Sequence, residues 1–200
     1  MKLVVCGTDA QWNYLTSLNE TVEWVRVDDA IKLNNENADA YFYLHDYEKT
    51  TPITIETQPV FINSMHNTLH LLALPNNFIR INAWPTFFEQ PIWEVAGVTD
   101  SNVHTILKNI HKKIINVNDE PGFISARVVA MIINEAYFAK GDHVSSAEDI
   151  DTAMKLGTNY PYGPFEWCQL IGAKNIVALL QTLSIQDVKY TPAPALINEI

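Results

Sequence analysis

The sequence predicts an α/β fold: a shortened, mostly parallel sheet domain over residues 1–118, followed by an all-helical domain over residues 119–200. Three observations predict it. The first 29 residues run strand, glycine, helix, strand, acid. Short β-branched and aromatic runs then recur as far as residue 118, separated by polar loops and brief helical patterns. Beyond Pro121-Gly122 capped helical patterns take over.

The opening is Lys2 to Cys6, a β-type run that ends at Gly7. Asp9 is placed to cap a helix over Ala10–Leu18, with Trp12, Leu15 and Leu18 at helical spacing. Thr21 to Val27 is rich in β-branched residues and ends in Asp28-Asp29. This is the order of a Rossmann βαβ unit, and Asp28 follows Gly7 by 21 residues, close to the spacing of a ribose-binding carboxylate. Gly7 and Asp28 are therefore the candidate cofactor-binding residues. The glycine fingerprint is incomplete. Where G-x-G-x-x-G needs a second and a third glycine, Asp9 and Trp12 stand. A carboxylate there repels a pyrophosphate, and an indole prevents close helix–strand packing.

Ala30 to Asn37 is short and polar where a complete unit would carry a long helix. Ala38–His45, Pro59–Ile62, Phe78–Ala83, Ile92–Ala96 and Ile114–Asn118 read as strands, Thr68–Leu74 and Ser101–Ile114 as helices. The loop 84–91, Trp-Pro-Thr-Phe-Phe-Glu-Gln-Pro, is aromatic enough to be either a core lid or an apolar ligand wall. In the second half a long helix is expected over Phe123–Lys140, apolar on two faces. Phe123, Ala126, Ala130, Ile133 and Tyr137 form one; Ile124, Val128, Met131 and Phe138 form the other. Such a helix is buried between neighbours. Ser145 or Ser146 caps the next, which runs to Gly157. A corner, Tyr160 to Phe165, precedes a helix opened by Pro164, and a last short helix spans Ala195–Ile200.

A formal net charge of −10 and the lack of a basic patch argue against a nucleic-acid partner. No apolar run is long enough to span a bilayer, and the N-terminus has too short an apolar run for a signal peptide. Cys6 and Cys168 match no metal or redox spacing and read as buried free thiols. The expectation is a soluble, cytoplasmic protein without a metal site.

Three segments, PGFISARVVAMIINEAYFAKG, EDIDTAMKLGTNYPYGPFEW and LIG, resemble the C-terminal domain of the L-3-hydroxyacyl-CoA dehydrogenase family. The resemblance implies an oxidoreductase of fatty acid metabolism with a Rossmann domain and a helical domain that dimerises. Its implied reaction is the NAD-dependent oxidation of a 3-hydroxyacyl-CoA to a 3-ketoacyl-CoA. In that family a histidine in a motif like H-F-F-N-P is the general base, and a glutamate about a dozen residues later orients it. Matching Phe78 and the strand at Ile92–Val95 puts Asn82 at the histidine, Pro85 at the motif asparagine and Glu94 at the glutamate. The substrate-binding asparagine of P-G-F-I-x-N-R becomes Ala126. The family segment S-N-T-S-S-L falls on Asn63 to Leu69, which makes Ser64, His66 and Asn67 the candidate substrate contacts.

An amide has no useful pKa near neutrality, so Asn82 cannot serve as a general base. The leading expectation is a 3-hydroxyacyl-CoA dehydrogenase-like protein with degenerate or lost activity. One alternative is an active NAD-dependent enzyme on a trimmed scaffold, with Asp28 at the ribose and His66 with Glu94 handling the proton. The other is a non-catalytic homodimer that holds an acyl-CoA or a partner in a cleft lined by Trp84, Phe87, Phe88 and the Tyr160–Phe165 corner.

Overall fold

Strand β1 (Lys2–Cys6) is apolar at four of its five positions because both of its faces are covered, as a central parallel strand requires. Leu3 and Val5 enter one core, Val4 and Cys6 the other. The computed structural model describes residues 1–200 and divides them into two units, Met1–Phe123 and Ile124–Ile200.

In the first unit, α1 (Asp9–Leu18) follows β1. Its N-cap is Thr8, not Asp9: the Thr8 hydroxyl accepts from the Gln11 N–H and the Gln11 side chain returns to the Thr8 N–H, a closed capping box. Next come β2 (Glu23–Val27) and α2 (Ala30–Asn34). The short polar stretch thus holds a brief helix of five residues, capped by the Asp29 side chain, which accepts from the Lys32 N–H. After it stand β3 (Ala40–Asp46), β4 (Val60–Asn63), α3 (Leu69–Leu72), β5 (Phe78–Ile81), β6 (Ile92–Ala96), α4 (Ser101–Asn109) and β7 (Lys113–Asn116). Helix α4 stops earlier than its apolar pattern suggests, because His111 takes a left-handed φ of 55° and turns the chain into β7.

The strands form one sheet in the order β2-β1-β3-β4-β5-β6-β7. Every neighbouring pair is parallel except β5–β6. The order reverses between β1 and β3, so the crevice in which such sheets take ligands lies at the ends of these two strands. With only α2 between β2 and β3, β2 is left as an edge, and the charged Glu23 and Arg26 on it disfavour pairing with another chain. The fold is a shortened Rossmann-like α/β sheet followed by helices.

Two aromatic residues of the loop 84–91, Trp84 and Phe88, are buried in this unit, and Phe87 is half-buried. Trp84 is 2 % and Phe88 0 % exposed, so neither lines a cleft. Phe88 stacks on Trp93 at 5.0 Å between ring centres. The Trp93 Nε1–H donates to the Phe88 carbonyl and the Tyr14 hydroxyl to that of Glu89, both at 2.8 Å. Lys112, 5 % exposed, donates from Nζ to the Gln90 carbonyl at 2.5 Å, the Phe88 carbonyl at 3.1 Å and the Tyr14 oxygen at 2.5 Å. Its ammonium also lies 4.6 Å from the centre of the Tyr14 ring and 4.8 Å from that of Trp93.

Burial pushes the Lys112 ammonium down to about 8, from about 10.4 in an unfolded chain. Between these values the unfolded chain binds more protons than the folded one, so this residue's contribution to stability improves as pH rises. The stability of the wild type relative to Lys112→Met should therefore climb between pH 8 and 10, by at most about 1.4 kcal/mol per unit. Paired urea titrations across that range check it. A flat or falling difference would contradict it.

The second unit is helical: α5 (Ser125–Gly141), α6 (Ala147–Thr158), α7 (Pro164–Ile171), α8 (Ala173–Ser184), a 3-10 turn at Val188–Tyr190, and α9 (Pro194–Ile197). Phe123 lies outside α5, with φ at 47°. The first apolar face of α5 is buried through Ala126, Ala130, Ile133 and Tyr137. The second is covered only in part: Ile124 and Val128 are exposed, while Met131 and Phe138 are half-buried. Asn134, 1 % exposed, donates to the Thr191 carbonyl and accepts from the Ala193 N–H, which ties the C-terminal segment to α5. Helix α6 continues past Gly157 and is capped by Asn159 in the left-handed conformation, which short amide side chains tolerate. Gly172, with φ at 93°, separates α7 from α8.

Candidate active site

The antiparallel pair β5–β6 sets the geometry of the candidate site. Its register joins Arg80 to Ala96 and Ile81 to Val95. Asn82 follows directly on β5, and Glu94 precedes Val95 in β6. Asn82 is 4 % exposed and its Oδ1 accepts from the Trp84 N–H at 3.1 Å, which turns the chain out of β5. The position at which the resemblance expects an imidazole beside a carboxylate thus holds an amide.

The other candidates fall elsewhere. Ser64 is fully buried, and its carbonyl accepts from the Arg80 Nε–H at 2.9 Å. His66 is half-buried, and the carboxylate nearest its Nε2 is that of Glu48 at 3.7 Å. The adjacent Asn67 is also half-buried, on the loop that leads to α3. Ala126 is fully buried in α5. Asp28 is exposed and pairs with Lys32 at 2.6 Å, and this partner holds its carboxyl below the usual carboxylate range.

The dinucleotide that the fold implies meets a filled crevice. Its pyrophosphate would rest over Gly7 at the start of α1. Here the Gln11 carboxamide lies over Gly7: a Cβ on Gly7 would come within 2.9 Å of Gln11 Oε1 and 3.2 Å of Leu44 Cβ. The Gln11 Nε2 donates to the carbonyls of Leu44, at 3.3 Å, and Ala83, at 3.2 Å. Asp9 adds a carboxylate in the first turn, paired with Arg26 at 2.6 Å. These residues do not fit a dinucleotide at that place.

Sequence reasoning passed over Gln11, Arg80 and Asn63. The spacing Thr8-x-x-Gln11 does carry a capping-box signal. Nothing local points to the buried guanidinium of Arg80, or to Asn63, whose side chain donates to Asp46 at 2.8 Å and accepts from the Ala83 N–H at 3.1 Å.

A family model for the C-terminal domain of 3-hydroxyacyl-CoA dehydrogenase matches residues 122–198. The helical unit is thus similar to the C-terminal domain of 3-hydroxyacyl-CoA dehydrogenases. Over 103 residues it is 41 % identical to the 3-hydroxybutyryl-CoA dehydrogenase of Clostridioides difficile, an alignment that covers 50 % of this chain and 37 % of that protein. Over 72 residues it is 50 % identical to the 3-hydroxyadipyl-CoA dehydrogenase of Escherichia coli (strain K12), covering 36 % of this chain and 15 % of that protein. The chain therefore spans little more than a third of one relative and less of the other.

Among solved structures, FadB2 of M. tuberculosis superposes with a TM-score of 0.78 at 14 % identity, covering 98 % of this chain and 92 % of that one. The (S)-3-hydroxybutyryl-CoA dehydrogenase PaaH1 of Ralstonia eutropha does so with a TM-score of 0.69 at 22 % identity and the same coverage. At these identities the likeness is one of fold. The likeness to 3-hydroxyacyl-CoA dehydrogenases in sequence thus lies mainly in the helical unit.

Proposed function

We propose that this chain is a 3-hydroxyacyl-CoA dehydrogenase-like protein that does not transfer hydride and that acts as a homodimer through its helical unit. The observation that carries the first part is the amide of Asn82, buried at the position where the resemblance expects an imidazole. Proton transfer from the substrate hydroxyl needs a group that titrates near the working pH, and such a group contributes roughly 10²–10⁴ in rate. An amide contributes none of it, and His66 has Glu48 as its carboxylate neighbour. The expected result is that the purified protein, given NADH and acetoacetyl-CoA, shows no fall in absorbance at 340 nm beyond the protein-free rate. A rate that saturates with acetoacetyl-CoA defeats the reading.

The dimer rests on α5. Ile124 and Val128 are exposed on its outer face, beside a groove of about 580 Å³ walled by Val128, Met131, Ile132, Ala139, Ile150 and Met154. An apolar surface of this kind on one helix favours cover by another chain. Sedimentation equilibrium at micromolar concentration should give twice the 22.6 kDa chain mass, and Val128→Asp should return it to one. A wild-type monomer refutes the dimer. The relatives' names point to acyl-CoA thioesters as the ligand class. A rise in melting temperature with such thioesters, and none with NADH, supports a ligand-holding role.

A further inference from the structure

We infer that Gln11 is a built-in plug. Its carboxamide closes the dinucleotide crevice from inside and joins the crevice walls that a bound cofactor would otherwise bridge. A carboxamide has two donor hydrogens and two acceptor lone pairs, and Gln11 engages all four. Oε1 accepts from the Thr8 N–H at 2.9 Å and from the Thr8 hydroxyl at 3.1 Å. Nε2 donates to the Leu44 carbonyl in β3 and to the Ala83 carbonyl just beyond β5, residues 33 and 72 positions away. One side chain therefore ties the start of α1 to β3 and to the segment that follows β5. The fit is closed on its fourth side by Gly7, where no Cβ could be accommodated without displacing the amide.

In a cofactor-binding version of this fold, the space over the first glycine and the helix N-terminus admits phosphate oxygens, and backbone N–H groups point into it. Here the N-cap N–H is already taken by Oε1, and the amide bulk lies where the phosphate would approach. The crevice is occupied by the chain itself, so the Thr8 N–H and the Leu44 and Ala83 carbonyls are hydrogen-bonded without a nucleotide. This inference rests on the non-dehydrogenase reading above and goes beyond it, because it assigns the loss of the cofactor to one residue and gives that residue a structural role.

A plug and a simple helix cap predict opposite results for one substitution. As a cap, Gln11→Glu should leave the melting temperature unchanged or raise it, because glutamate at this position completes a capping box and suits the helix dipole. As a plug, it should lower the melting temperature by roughly 5 °C or more, because a carboxylate has no hydrogen to give the Leu44 and Ala83 carbonyls and is repelled by both. The lowered value is expected; an unchanged or raised one overturns the plug. The second measurement needs no variant. Titrating the wild-type chain with NADH, followed by calorimetry, should give no saturable heat. Saturable binding without turnover of acetoacetyl-CoA overturns the plug and leaves the non-dehydrogenase reading intact. Binding with turnover overturns both.

Discussion

Replacing Arg80 by alanine is expected to destabilise the first unit by about 3–5 kcal/mol, read as a lowered midpoint in urea unfolding followed by tryptophan fluorescence. Arg80 is 0 % exposed on a strand whose other residues are apolar. A guanidinium there is tolerated because its donors are met. Nε donates to the Ser64 carbonyl at 2.9 Å, Nη1 to Asp119 Oδ1 at 2.5 Å, and both Nη atoms reach the Glu120 carbonyl at 3.4 Å. Its planar face lies 4.4 Å from the centre of the Phe123 ring. Burial pulls the Arg80 pKa down and the Asp119 carboxylate pulls it back, and an arginine remains charged through that contest. Alanine would leave a cavity, two carbonyls without their donor and a carboxylate without its partner. Arg80→Lys should fall between, because an ammonium cannot reproduce the planar fork. A loss under about 1 kcal/mol for the alanine variant would mean that water replaces the guanidinium without cost, and the argument would fail.

In the second unit, Gly163→Ala and Asp151→Ala should each cost about 2–4 kcal/mol, measured in the same way. Helix α7 has no side chain of its own at its N-cap, because Gly163 stands there. Asp151, from α6 and 9 % exposed, supplies the cap instead. Its Oδ1 accepts from the Phe165 N–H at 2.8 Å and its Oδ2 from the Glu166 N–H at 3.2 Å. The carboxylate packs so closely on Gly163 that a methyl group there would overlap it. Alanine at 163 expels the cap, and alanine at 151 deletes it, so both leave the same two N–H groups unpaired. For that reason the double variant should cost little more than the worse single one. Full additivity would show that the two residues act separately.

These two sites mark how far the sequence could be read. The strands, the cap at Ser146 and the helical motifs that carry the family resemblance are local signals, set by periodicity and by side-chain bonds spanning three or four residues. Asn82 falls on the family histidine only through the resemblance, by matching Phe78 and the strand at Ile92–Val95. The aromatic loop was ambiguous. Its composition suits a ligand wall as well as a core, and what decides between them is Lys112 and Tyr14, which hold its carbonyls from other elements. The outer face of α5 was read as buried because the sequence shows its two apolar faces and does not show which has a neighbour in the chain.

The sequence by itself determined the fold class and the resemblance of the helical unit, since each depends on residue identity at short spacing. Only the tertiary structure decided that Gln11 fills the crevice, that Arg80 is a buried anchor and that Asp151 caps a helix other than its own. The physical reason is common to the three. Their polar groups are satisfied by partners 72, 39 and 14 residues away, and a hydrogen bond over such a separation exists only once packing has brought its ends together.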